Sequence, residues 1–130
     1  MKNILTLSLI LFVSSAAYSQ SIFSKWPALD EYHKVMAQTF HPSEEGNLQP
    51  IKSRSGELKD QAALVAKSDI PTDFDSPAIR KAVKQLNKDS KALDKLIQSN
   101  KATDPQITKS IAALHDVFHD VVGLCKDEKH

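Results

Sequence analysis

The sequence predicts an all-α protein, an antiparallel up-down-up-down four-helix bundle. Apolar residues recur at steps of three and four residues in four segments, which is the periodicity of one helix face. Proline and polar clusters separate these segments by short connections, as between neighbouring helices of a bundle. Only 3 of the 130 residues are glycine and β-branched residues do not alternate, which argues against all-β and Gly-loop nucleotide folds.

Residues 1–19 have the features of a secretory signal peptide. Lys2 supplies the positive start, residues 4–13 are an apolar stretch, and Ala17 and Ser19 are small residues at the positions that cleavage requires. The apolar stretch is short for a membrane span. We therefore expect a secreted or periplasmic protein whose bundle domain comprises residues 20–130, with no stable membrane anchor after cleavage; an uncleaved anchor is the alternative.

The first two helices follow from proline positions and apolar spacing. Helix one is predicted to begin at Trp26-Pro27, because proline suits the first helical turn. It is predicted to end at His41-Pro42, because the residue before a proline is pushed out of the α region. Helix two follows residues 44–47, and its predicted core-facing positions are Leu48, Ile51, Ser55, Leu58, Ala62 and Val65.

The last two helices carry the same spacing. After a loop over residues 68–75, Ser76-Pro77 opens helix three with a capping residue and a first-turn proline. Thr103-Asp104-Pro105 opens helix four in a similar way. The predicted core positions are Ile79, Val83, Leu86, Ser90, Leu93 and Ile97 in helix three, and Ile107, Ile111, Leu114, Phe118, Val121 and Cys125 in helix four.

Charge and cysteine content exclude several classes of function. The formal charge of +1 gives no overall field for nucleic acid or an anionic membrane, and no nucleic-acid partner is expected. The single cysteine, Cys125, rules out an internal disulfide framework and a cysteine-rich zinc module. The sequence sets no oligomeric state. Five lysines of helix three are interpreted as solvated surface: Lys81, Lys84, Lys88, Lys91 and Lys95.

The histidines are the unusual feature. His115 and His119 are four residues apart and therefore project from one face of helix four. His33 occupies a core-facing position of helix one, and His41 closes that helix. If helices one and four run antiparallel, counting residues from their adjacent ends places His33 and His119 within about one turn of the same height.

Such a cluster predicts a transition-metal site between helices one and four. Imidazole and carboxylate ligands suit zinc, copper, nickel or iron, and a His-x-x-x-His pair can give two nitrogens to one ion. We expect His33, His115 and His119 to be the ligands, with His41 and Glu45 as secondary candidates. The alternative is that these histidines are structural residues hydrogen-bonded to carboxylates or backbone.

The stretch Ile-Ala-Ala-Leu-His-Asp-Val-Phe-His-Asp-Val-Val, residues 111–122, resembles the haem-bearing last helix of the exported four-helix-bundle cytochromes, the b-type and c-prime superfamily. Phe118-His119 stands where b-type members place an aromatic residue followed by the axial histidine. The resemblance implies haem b with His119 as one axial ligand and Met36 of helix one as the other. His33 competes with Met36 for that second position. The chain lacks Cys-x-x-Cys-His, so covalent haem attachment is excluded.

The sequence therefore predicts an exported bundle that binds a transition-metal ion and is not an enzyme. It contains no Gly-x-Ser-x-Gly elbow, phosphate-binding loop or dinucleotide fingerprint. A non-covalent haem-b electron-transfer protein is the first alternative. A ligand-free structural or interaction bundle is the second.

Overall fold

The computed structural model describes residues 22–127, and the expected signal peptide lies outside them. Four long helices follow one another: α1 is Pro27–Glu44, α2 is Gln49–Lys67, α3 is Pro77–Gln98 and α4 is Asp104–Asp127. Residues 22–127 contain no β-strand, which confirms the all-α prediction. Residues 22–25 are also helical and form an additional short segment ahead of α1, which the sequence analysis did not predict.

Most of the core consists of residues that the apolar spacing selected, but Ile22, Tyr32, Val35 and Val122 are also buried and were not among them. All six predicted positions of α2 and all six of α4 are buried, as are five of α3, while Ile97 is half-buried. The loop between α2 and α3 adds Phe74, which is fully buried. Burial of these side chains is the main favourable term in the stability of the bundle.

Trp26 separates the leading segment from α1. Its backbone angles, φ −128° and ψ 78°, are not helical, as expected for a residue that precedes a proline. The Trp26 side chain is 1% exposed, and its indole N–H donates to the Ser68 hydroxyl at 2.9 Å. Lys25 pairs with Asp73 at 2.6 Å, so the leading segment is held against the loop between α2 and α3.

The predicted end of helix one at His41-Pro42 is wrong, because α1 continues through Pro42 to Glu44. A proline so close to a helix end removes only one intrahelical hydrogen bond, and its carbonyl still accepts bonds from the amides of Glu45 and Asn47. Gly46 follows the capping residue Glu45, and its φ of +84° is the left-handed conformation that terminates many helices. The expected capping of α3 by Ser76 is confirmed: its hydroxyl accepts a bond from the Ile79 amide at 3.2 Å.

Two polar pairs lie within the apolar core. The hydroxyls of Tyr32 and Ser90 are 3.0 Å apart and link α1 to α3, and burial raises the pKa of Tyr32 well above its usual value. Ser55 of α2 donates to Asp94 of α3 at 2.7 Å, and Asp94 is only 7% exposed. Both pairs connect specific positions on different helices, so they constrain how the helices are aligned.

Each helix packs against its neighbours along the chain, and α4 also contacts α1. The α1–α4 contact is the least extensive of the four. Hydrogen bonds join Trp26, at the start of α1, to Ser68 beyond the end of α2, and Gln38, late in α1, to Arg54, early in α2. Within residues 22–127, none of the helices is both long and apolar enough to cross a lipid bilayer.

We expect Ser55→Ala to lower the free energy of unfolding by about 1–3 kcal/mol, because it removes a hydrogen bond from the buried carboxylate of Asp94. Denaturant titration by circular dichroism measures this change. Ser53→Ala is the matched control, since the Ser53 hydroxyl is exposed and bonds only its own helix, at Pro50. Equal stabilities of the two variants would contradict the assignment.

Candidate metal-binding site

His115 and His119 form a close pair on α4. Their Nε2 atoms are 3.2 Å apart and their rings are nearly perpendicular, at 84°. The four-residue spacing places them on successive turns of one helix face, as the sequence analysis expected. When both rings are neutral, one ring N–H can donate to the lone pair of the other.

Phe40 of α1 fixes the position of His115. The two rings are stacked, with centroids 3.8 Å apart and an interplanar angle of 15°. Phe40 is 9% exposed and belongs to the core, so it is a rigid support for the imidazole. His119 is exposed, while His115 is half-buried. The pair therefore has one anchored ring and one ring open to solvent.

His33 lies in a different group of rings. It stacks on Phe23 at 4.6 Å and on Phe118 at 5.3 Å between centroids, and the interplanar angles are 6° and 8°. Phe23 and Phe118 are themselves nearly parallel, with centroids 6.4 Å apart. His33 is thus part of an aromatic cluster that joins the leading segment, α1 and α4.

The secondary candidates lie at the end of α1. His41 is exposed, and its Nδ1 is 4.0 Å from a carboxylate oxygen of Glu44. The ring of Phe40 is adjacent both to His41, at 5.8 Å between centroids, and to His115. Glu45 is the exposed residue that ends α1, whereas Glu44 is the acidic residue of this turn that affects His115.

Of the predicted ligands, the structure brings His115 and His119 within reach of one ion. Across residues 22–127, no group of three or more histidine, cysteine, aspartate or glutamate side chains is arranged to hold a metal ion. His33 and His41 interact electrostatically with this region, but neither is hydrogen-bonded to the pair. Of the four candidate histidines, His115 and His119 are the two whose ring nitrogens lie next to each other.

The residues that the cytochrome resemblance implies lie in different environments. Met36 is 1% exposed within the core, whereas His119 is exposed and lines a surface groove between α3 and α4. One porphyrin ligated by both residues would have to reach from the buried Met36 side chain to the exposed His119 ring.

The groove beside His119 has a volume of about 510 Å³. Its walls include small and apolar residues of both helices, among them Ala82, Val117 and Leu124. Lys81 and Asp120 stand at its edges. Solvent and small solutes therefore reach His119 directly.

The surroundings keep two imidazoles neutral. Burial lowers the pKa of His33, and the nearby His119 and His41 lower it further against the opposing effect of Asp30. Burial also lowers the pKa of His115, assisted by His119, while Asp116 and Glu44 act in the opposite direction. A neutral imidazole is the form that binds metal.

The aromatic residues that hold these histidines were not predicted from the sequence. Phe40 lies four residues after Met36, at helical spacing, but spacing does not indicate that its ring stacks on His115 of α4. Phe23 lies before the predicted helix. Its apolar character beside Ile22 was the available signal that this segment packs on the bundle.

No protein-family model, curated protein or solved structure matches this chain.

We expect the metal-free protein to lose stability as the pH falls below about 6.5, the ordinary pKa of histidine. Because the pKa values of His33 and His115 are lowered in the folded state, the unfolded chain takes up protons first and is favoured by acid. Denaturant titrations between pH 7.5 and 5.5 in the presence of chelator measure how steeply the free energy of unfolding changes with pH.

His33→Gln should flatten this pH dependence, since it removes one of the two depressed groups. His41→Gln is the comparison: it removes an exposed histidine that makes only the smallest of the contributions to the lowered pKa values of His33 and His115, so it should flatten the pH dependence less. An unchanged slope in His33→Gln would show that His33 titrates alike in the folded and unfolded chains.

Proposed function

We propose that this protein binds a divalent transition-metal ion through His115 and His119, as an exported metal-binding protein rather than an enzyme. The observation that carries the proposal is the 3.2 Å separation of the two Nε2 atoms. Two nitrogens that are each about 2.0–2.1 Å from one zinc ion at a tetrahedral angle lie about 3.4 Å apart. The separation of the pair therefore suits one ion, which would be held once both ring lone pairs point towards it.

The support provided by Phe40 favours binding for an energetic reason. A side chain that is already held in place loses little conformational freedom when it becomes a ligand. His115 is stacked on a buried ring, so only His119 must be ordered. The lowered pKa of His115 also reduces competition from protons near neutral pH.

Two imidazoles leave coordination positions free for water or further side chains. His41 and Glu44 at the end of α1 are the protein groups best placed to contribute, because both act electrostatically on His115. A change of side-chain rotamer in an exposed residue takes only picoseconds to nanoseconds. The nitrogen and oxygen ligands suit zinc, copper, nickel and iron(II).

We further propose that the four long helices run up-down-up-down. The contact between Trp26 and Ser68 and that between Gln38 and Arg54 support opposite directions for α1 and α2. The stacking of Phe40 on His115 and of His33 on Phe118 supports the same relation between α1 and α4. Export of the chain is proposed from residues 1–19 alone.

Titration of the untagged mature protein with zinc, copper or nickel in a calorimeter tests the site. We expect His115→Gln and His119→Gln to weaken binding by more than the roughly 10–100-fold that loss of an outer-shell partner costs. His41→Gln measures whether His41 contributes to binding as a further ligand. His33→Gln is the comparison and should weaken binding less, since the His33 ring stacks on Phe23 and Phe118 and reaches His119 only through Phe118.

Unchanged affinity in both His115→Gln and His119→Gln would refute the site. A loss in His33→Gln equal to that in His119→Gln would instead restore His33 as a ligand. A Soret band after haem addition would support the haem alternative.

Metal should also stabilise the fold. An ion that binds only the folded state adds about 2.7 kcal/mol when its free concentration is a hundred times Kd. We therefore expect zinc to raise the melting temperature, chelator to reverse the rise, and acid to diminish it, because protons compete for the imidazoles. The double variant His115→Gln/His119→Gln should melt at the same temperature with and without metal.

A further inference from the structure

α3 carries a straight row of five lysines on its outer surface: Lys81, Lys84, Lys88, Lys91 and Lys95. Their steps of three, four, three and four residues are those of a single helix face. All five are exposed, and each follows a core-facing residue of α3 by one or two positions. The row therefore runs along the ridge of the helix farthest from the core and extends about 21 Å at 1.5 Å per residue.

These lysines lack the carboxylate partners that several other basic residues have. Within residues 22–127, none of the five takes part in an ion pair, whereas Lys25, Lys34, Lys52 and Lys59 each contact a carboxylate. The helix holds six basic and two acidic residues, a formal charge of +4 against +1 for the whole chain. Of those two acids, Asp94 is buried and Asp89 is half-buried and bonded to Gln85.

The arrangement is unfavourable for the isolated protein. Like charges three and four residues apart on a helix repel each other. An anionic partner that touches the ridge would relieve this repulsion at four successive pairs. The near-zero overall charge does not prevent such binding, since screening in salt limits each charge to a range of about 8–10 Å.

We propose that the lysine row of α3 binds the surface of an anionic lipid bilayer. A flat surface can contact all five lysines of a convex ridge at once, and anionic lipids attract lysines that lie close to the bilayer. α3 contains no aromatic residue and its exposed face no large apolar one, so the row is not suited to stacking on single-stranded nucleic acid or to forming the apolar centre of a protein interface.

The binding is peripheral and electrostatic. No large apolar side chain beside the row is available to enter the bilayer; the large exposed apolar residue of the described chain is Leu64, on α2. Salt should therefore abolish the interaction. The proposal uses no histidine and does not depend on the metal site.

Sedimentation of the mature protein with vesicles tests the proposal. We expect binding to vesicles of 30% phosphatidylglycerol in phosphatidylcholine at low salt, none to pure phosphatidylcholine, and release at 0.5 M sodium chloride. The triple variant Lys84→Gln/Lys88→Gln/Lys91→Gln should bind about a hundredfold more weakly, because each lysine near an anionic surface contributes roughly a fivefold factor and the three factors multiply. Its circular dichroism should be unchanged.

The matched control is Lys67→Gln/Lys101→Gln/Lys109→Gln, which removes the same charge from exposed lysines elsewhere. It should retain most of the binding. Equal losses in the two triple variants would show that overall charge, and not the row, is responsible. Absence of vesicle binding at low salt, or preferential binding of duplex DNA or heparin over vesicles, would overturn the proposal.

Discussion

The packing of aromatic rings between α1 and α4 is the constraint on which the histidine site depends. These two helices share the least extensive of the four contacts, and Phe40 and Phe118 occupy the space between them. Phe40 stacks on His115, and Phe118 stacks on His33. Rigid core residues thus determine the positions of two half-buried imidazoles. Without this support, the histidines of α4 would be ordinary mobile surface side chains.

The buried carboxylate of Asp94 and its partners constrain the contact between α2 and α3. Burial alone would raise the pKa of Asp94, but hydrogen bonds from Ser55, Lys59 and Gln98 outweigh that effect and hold it below its usual value. The ionised carboxylate is therefore satisfied within the contact between α2 and α3. A buried group that needs particular partners penalises sliding of one helix along another. This favours one alignment of the bundle and, with it, one geometry between α1 and α4.

Periodic apolar spacing was enough to predict the four long helices and most of the core, but not the buried side chains of Tyr32, Val35 and Val122. Burial of Ser55 and Ser90 at core-facing positions also followed from spacing. The end of α1 could not be predicted from apolar spacing, because the sequence contains two residues that can each end a helix. The proline at position 42 is tolerated in the last helical turn, and the glycine at position 46 ends the helix. A glycine that adopts a left-handed conformation is the stronger signal when a proline costs only one hydrogen bond.

The site was predictable only in part. Spacing along one helix determines that His115 and His119 meet, since the helix geometry is local. Whether His33 joins them depends on side-chain directions across two helices, which a count of residues does not specify. The structure turns that ring towards Phe23 and Phe118. A count of residues also does not tell whether Glu44 or Glu45 faces His115, because adjacent side chains on a helix differ in direction by about 100°. The sequence predicted Glu45, whereas Glu44 is the one that acts on His115.

The anchored leading segment has a practical consequence for protein production. Ile22 and Trp26 are each 1% exposed, and Phe23 covers one side of His33. A recombinant chain truncated to begin at Pro27 would leave the sockets of these side chains open to water. Such a chain would expose a hydrophobic patch at one end of the bundle and would be prone to aggregation. An expression boundary therefore belongs upstream of Ile22.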